Sequence, residues 1–263
     1  MATELPKLSE TPFSGKVVTI TGAASGIGLA TSLLLYERGA TIAVSDVNSK
    51  ALAELEQRLG TLPARDRGQR YKTTPVDVSD AVAVSAWIEE TVNTFGRLDL
   101  CANIAGAGET VCNLEEKSSQ DFDFAVNVNL RGVFNCMRAQ LPHLQRGSAV
   151  VNVSSGSGVN GTPGHSLYSA AKGGVNTMTS AAAKEYGPKG IRINCVAPGV
   201  TLTPAMLTVG RVFLEPSVAA TPLRRGSEPV EQAQAISFLL SDEASFITGV
   251  ILRCDGGFAA TGH

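Results

Sequence analysis

Short β-branched and apolar runs alternate along this chain with longer stretches in which apolar residues recur every three or four positions. The first pattern suits a buried strand and the second an amphipathic helix. Lys16–Thr21 (KVVTIT) reads as a first strand, Ile27–Arg38 as a helix closed by Gly39, and Thr41–Ser45 as a second strand. Lys50–Leu59 continues as a helix, Tyr71–Val76 as a strand, Ala81–Phe95 as a helix and Leu98–Ala102 as a strand. A long helix is predicted over about Phe122–Leu144, a fifth strand at Ala149–Ser154 and a helix from about Ser166 to Tyr186. Ile191–Ala197 is a sixth strand, Val230–Leu240 a helix and Val250–Cys254 a seventh strand.

Strands separated by helices pair in parallel through right-handed crossovers. The runs VVTI, AVVNV and INCVA do not alternate with polar residues, as befits strands covered on both faces. The predicted fold class is α/β: a single Rossmann-type, doubly wound domain over residues 1–263, its seven-stranded parallel sheet flanked by helices. Such sheets bind ligands beyond the carboxyl ends of their strands. Thr203–Arg225, rich in Pro, Thr and small apolar residues, breaks the alternation and reads either as a substrate lid or as a surface excursion. Met206, Leu207, Val212, Phe213 and Leu214 within it fit an apolar substrate wall or internal packing.

Composition narrows the function classes. No linker or compositional break divides the 263 residues. A domain of this size buries roughly three-quarters of its unfolded surface and needs no disulfide or metal. The net charge of −2 gives no reason to expect nucleic acid or an anionic membrane as partner. Cys101, Cys112, Cys136, Cys195 and Cys254 form no CxxC pair, which argues against a metal or redox dithiol and for thiols in a reducing compartment. The first sixteen residues lack the apolar core of a secretory signal, and no apolar run approaches the ~18 residues of a membrane span. A cytoplasmic location is the expectation.

Gly22, Ser25, Gly26, Ile27 and Gly28 occupy a G-x-x-x-G-x-G turn between the first strand and first helix. Such a turn brings the backbone close to a pyrophosphate, whose charge the helix N-terminus favours. Asp46 ends the second strand, where a carboxylate accepts hydrogen bonds from adenosine ribose hydroxyls and repels a 2′-phosphate. The competing role for Asp46 is to cap the following helix. With no Lys or Arg immediately after it, NAD is favoured over NADP.

Tyr168 and Lys172 lie four apart in a helical stretch and so share a face. Ser155 lies thirteen residues before Tyr168, at the carboxyl end of the fifth strand, and Asn129 lies in the preceding long helix. Ser154 competes with Ser155, and Asn127 with Asn129. His165 fits a substrate contact and a loop histidine equally well; His143, His263 and Arg131 read as surface residues and Trp87 as packing.

With these features the sequence resembles a classical short-chain dehydrogenase/reductase (SDR), from about Gly15 to Phe258. The family's N-N-A-G turn appears as Asn103-Ile104-Ala105-Gly106, with Ile104 in place of the second Asn. The resemblance implies catalytic roles for Asn129, Ser155, Tyr168 and Lys172. It implies adenine contacts from Asp77 and Val78, and nicotinamide contacts from Pro198, Gly199, Val200 and Thr203. Cofactor contacts from Asn103, Ala105 and Gly106 follow in the same way, and a homotetramer is implied as the assembly. The expected substrate is a partly apolar secondary alcohol or ketone.

The chemistry unites these residue types. Tyr168 takes the alcohol proton as hydride departs, and gives it back in the reduction. A free phenol, with a pKa of about 10, is a poor base at neutral pH, and bringing it near ~7 takes roughly 4 kcal/mol of differential stabilisation. Lys172 and the positive nicotinamide are the expected sources. Ser155 holds the reacting oxygen, Lys172 also binds the nicotinamide ribose, and Asn129 positions a water beside Lys172. Three alternatives stand beside this reading: an NADP-dependent ketoreductase, a biosynthetic enzyme turned to cyclisation or epimerisation, and a non-catalytic nucleotide-binding scaffold.

Overall fold

The computed structural model describes residues 9–65, 68–208 and 211–258, with the side chains of 211–214 outside the description. Its elements are β1 (Val17–Thr21), α1 (Gly26–Glu37), β2 (Thr41–Asp46), α2 (Ser49–Thr61), β3 (Tyr71–Pro75), α3 (Ala81–Phe95) and β4 (Leu100–Asn103). There follow α4 (Ser119–Val126), α5 (Gly132–Gln140), β5 (Ala149–Val153), α6 (Ser157–Asn160), α7 (Ser166–Tyr186) and β6 (Arg192–Pro198). The chain continues with α8 (Pro204–Thr208), α9 (Arg211–Ala220), α10 (Pro229–Leu240) and β7 (Ile251–Cys254).

The seven strands form one parallel sheet in the order β3-β2-β1-β4-β5-β6-β7. The chain reverses its direction of travel between β1 and β4, so a crevice opens beyond their carboxyl ends. Alternate residues of each strand face opposite sides. Val18 and Ile20 of β1 join a core with Leu35 of α1, Leu55 of α2 and Ile236 of α10. Val17 joins the opposite core with Trp87 of α3, Val133 of α5 and Val175 of α7. At the ~25 cal/mol per Å² that apolar burial contributes, these two cores are the main stabilising term.

The long helix predicted over Phe122–Leu144 is in fact interrupted. A five-residue π-turn, Asn127–Arg131, separates α4 from α5, and a 3₁₀ turn spans Leu141–His143. Apolar spacing alone carries no signal for a π-turn, which keeps the helix going while rotating the faces beyond it. Thr203–Arg225 holds α8 and α9, where no helix was expected because Pro216 stands inside α9. Val212, Phe213 and Leu214 fall among the side chains outside the description, as does His263. Of the rest of that predicted wall, Leu207 is exposed and Met206 half-buried. Among the described residues no helix is long and apolar enough to cross a membrane, and no group of side chains is suited to a metal ion.

Candidate active site

The nucleotide half is built where β1 and β4 meet. Thr21 accepts from the Ile104 and Ala105 amides at 3.0 and 3.1 Å, tying the glycine turn to the Asn103–Gly106 turn. A Cβ on Gly28 would lie 1.8 Å from the Gly22 carbonyl oxygen, so only glycine lets α1 begin this close to the turn. Ser25 is the N-cap of α1 but makes no side-chain cap, and the first turn carries no acid. The α1 amides are therefore left for an anion. Thr203 closes the far side, its methyl packed over Gly26.

Asp46 does not cap α2. That role belongs to Asn48, which accepts from the Ala51 amide at 3.1 Å. One Asp46 oxygen accepts from Ala24 N at 3.0 Å and the other from Asn48 N at 2.9 Å, fixing the carboxylate beside the glycine turn. The next side chain, Val47, is uncharged and 72% exposed. Asp77 pins its own turn by accepting from the Ser79 amide and hydroxyl, and Asn135 of α5 donates to the Val78 carbonyl at 2.9 Å. Gly156 N donates to Pro198 O at 2.8 Å, holding the Pro198–Val200 segment against the loop that carries Ser155. A glycine cradle, a helix N-terminus without a side-chain cap and a fixed acid together fit a dinucleotide.

Asn103 ends β4. Its side chain is buried in a network with Gln140 and Asn152, which Thr19 and Thr179 complete. Any cofactor contact from Asn103 falls to its main chain. Ala105 and Gly106 follow it into the crevice.

The catalytic half gathers where α7 passes β5. Ser154 and Ser155 are separated by direction: Ser154 donates to the Lys172 carbonyl at 2.9 Å, while the Ser155 hydroxyl hydrogen-bonds Tyr168. Lys172 is 2% exposed and donates from Nζ to Val153 O at 2.9 Å, with Nζ 5.7 Å from the Tyr168 ring centroid. Burial pulls Lys172 down to about 8, and the neighbouring Cys195 offsets this only in part. Burial likewise pushes the Tyr168 phenol above its ordinary value, and the Ser155 hydrogen bond pulls it partly back. The expected depression of Tyr168 is thus absent from the protein on its own, because burial outweighs every group it places around the phenol.

Asn129 sits on the π-turn, fully buried. Its Nδ2 donates to Ala107 O and Ala125 O, and its Oδ1 accepts from Ala107 N. The amide therefore clamps the loop after β4 to the π-turn, with Oδ1 beside Gly106 and Lys172 Nζ also bordering that glycine. Asn127 is only partly buried and Arg131 is exposed. His165 precedes α7 without a side-chain cap, Trp87 is packed as expected, and His143 is half-buried rather than at the surface.

Sequence reasoning missed several supporting residues: Thr21, Asn135, Glu109, Lys117 and Asn176. Asn176, one turn beyond Lys172, donates to Gly158 O at 2.9 Å and holds α6 against α7. Thr21 was legible as the hydroxyl next to the glycine turn. The others act across long sequence separations, which no local pattern reveals.

Known proteins resemble this chain over most of its length. The family model described as Enoyl-(Acyl carrier protein) reductase matches residues 22–259. The chain is similar to the short-chain dehydrogenase/reductase aba4 of Botryotinia fuckeliana, at 40% identity over 95% of this chain and 99% of the relative. It is also similar to a cyclohexanol dehydrogenase of an Acinetobacter species, at 38% identity over 97% of this chain and all of the relative. A solved 3-ketoacyl-(acyl-carrier-protein) reductase from Brucella melitensis, complexed with NADH, superposes with a TM-score of 0.84 at 30% identity, covering 94% of this chain and 99% of that one. The chain belongs to the short-chain dehydrogenase/reductase family of oxidoreductases, whose relatives here act as dehydrogenases and reductases.

Proposed function

We propose that this chain is an NAD(H)-dependent oxidoreductase for a secondary alcohol or its ketone, with Tyr168 as the proton-transfer residue. The observation that carries the reading is the convergence of Ser155 and buried Lys172 on Tyr168. When bound, the nicotinamide supplies the hydride acceptor or donor and, in its oxidised form, a second positive charge. Gly22 to Gly28, Asp46, Val78, Gly106 and the Pro198–Thr203 segment are the residues that would hold the dinucleotide, with Lys172 on the nicotinamide ribose. Tyr168 accepts the alcohol hydroxyl proton as the carbonyl forms, and in the reverse direction returns it to the alkoxide oxygen. Ser155 orients that oxygen, and Asn129 holds the Gly106 loop in place beside Lys172.

NAD is the favoured cofactor because Asp46 is fixed by the Ala24 and Asn48 amides, beside an uncharged, exposed Val47. A cyclic secondary alcohol is the favoured substrate class, on the similarity to a cyclohexanol dehydrogenase and the exposed apolar Leu207 and Val111. Five free thiols favour a reducing cytoplasm, and exposed Phe122, Phe134, Phe238 and Phe246 favour assembly into a homotetramer. Fluorescence titration with NADH and NADPH tests the cofactor choice: tighter NADH binding is expected, and NADPH binding equal or tighter would overturn it.

A further inference from the structure

α7 starts without a local cap. His165 stands at its N-cap position and offers no side-chain hydrogen bond. The amide of Tyr168 is one of the donors that a helix N-terminus leaves unpaired. It is met from fifty-nine residues away, by Oε1 of Glu109 at 2.9 Å. The other oxygen, Oε2, lies 3.0 Å from Lys117 Nζ, and the two side chains are 2% and 3% exposed respectively. Lys117 in turn donates to Gly164 O at 3.0 Å and to Thr110 O, while Val111 packs over Gly164. An ion pair withdrawn from water this fully is costly to assemble, and removing one partner leaves a buried charge uncompensated.

We propose that Glu109 and Lys117 are a positioning pair for Tyr168: Glu109 anchors the first turn of α7 through the Tyr168 amide, and Lys117 cancels the charge that this anchor brings to the backbone of the residue bearing the phenol. The proposal rests on the reading of Tyr168 as the proton-transfer residue. Its physical logic is one of sign. A carboxylate suits a helix N-terminus, but an uncompensated anion near a phenol opposes phenolate formation. Lys117 resolves the conflict without touching the phenol. Burial alone would pull Lys117 down, yet the Glu109 carboxylate, helped by Cys112, more than offsets this and holds it above the ordinary lysine value. The other groups around this region are Lys172 on the same helix, Cys195 of β6 acting on Lys172, Cys112 beside Lys117, and His165 ahead of α7. Asp121 of α4 also feels Lys117. Ser155 faces the phenol as a neutral donor.

The test follows phenol ionisation directly, so it stands whether or not any given alcohol is turned over. Tyrosinate absorbance is titrated in the full-length protein and in the variants Lys117→Gln, Glu109→Gln and the two combined, each corrected by subtracting its Tyr168→Phe counterpart. Gln at 109 keeps an acceptor for the Tyr168 amide, and Gln at 117 keeps donors for the loop carbonyls. Lys117→Gln is expected to raise the Tyr168 midpoint by about 0.5 to 1 pH unit and Glu109→Gln to lower it by a similar amount. The combined variant is expected to return to within about 0.3 unit of the wild type. A merely structural role would move both single variants the same way or neither, and either result overturns the proposal. Should Lys117→Gln not fold, Glu109→Gln decides alone: a midpoint at or above the wild-type value overturns it.

Discussion

At the scale of single residues, the site holds one group, Lys172, in a protonation state that burial disfavours. Lys172 has its ammonium in the interior and is pulled down from the ordinary lysine value to about 8. The unfolded chain therefore binds more protons here than the folded one between about pH 8 and 10.5, so stability from this residue rises with pH across that window. Lys172→Met is expected to abolish turnover yet raise the melting temperature of the cofactor-free protein. The gain is on the order of 3 kcal/mol below pH 8 and shrinks toward pH 10.5. Thermal melts from pH 6 to 10 check this, and a gain that grows with pH would contradict it. Asp46 is the second residue whose role is separable. Asp46→Ser combined with Val47→Arg removes the repelling acid and supplies a cation at the exposed neighbour. It should shift the NADP/NAD preference in kcat/KM by at least about 100-fold toward NADP, as roughly 3 kcal/mol of differential binding would give. An unchanged ratio would remove Asp46 as the selector.

At the scale of elements, the π-turn between α4 and α5 does most to shape the site. It brings Asn129 against the Ala107 main chain, and that contact holds Gly106 beside Lys172. A Cβ on Gly106 would lie 2.9 Å from Asn129 Oδ1 and 3.1 Å from Lys172 Nζ. Gly106→Ala is accordingly expected to lower kcat by at least about tenfold through misplacement of Lys172, while the melting temperature moves only a few degrees. A large loss of stability with kcat intact in the surviving enzyme would contradict that. The strands and their parallel, doubly wound arrangement were legible, because runs such as VVNV admit few other placements. The directions of Ser155 and Tyr168 followed from their position at a strand end and on a helix face. What stayed hidden shares one cause. The π-turn preserves the apolar rhythm on both sides, and Glu109, Asn135 and Asn176 act on partners 18 or more positions away. Such contacts are set by packing, after the sheet is assembled, and leave no periodic trace. The polar network into which the Asn103 side chain turns is likewise set by packing.

At the scale of the molecule, two cores clamp a parallel sheet with its crevice at the β1–β4 reversal, and the apolar surface left outside includes several aromatic side chains. Phe246 is fully exposed, and Phe122, Phe134 and Phe238 are partly so. Their burial between copies would offset the cost of leaving such surface in water. Light scattering should therefore give about four times the mass of one chain, and Phe246→Asp should reduce it; a monomeric wild type would contradict the tetramer.

The central claim is hydride transfer between NAD and a secondary alcohol through Tyr168. It is tested most directly by following NADH formation from NAD⁺ over a panel of cyclic and open-chain secondary alcohols, with wild type and Tyr168→Phe side by side. The expected result is turnover of at least one alcohol that rises with pH, as a phenol pushed up by burial must lose its proton to act as base. Tyr168→Phe should lose about 1,000-fold or more of that rate while still binding NADH. Turnover that survives Tyr168→Phe, or NADH binding with no alcohol oxidised across the panel, would contradict the account.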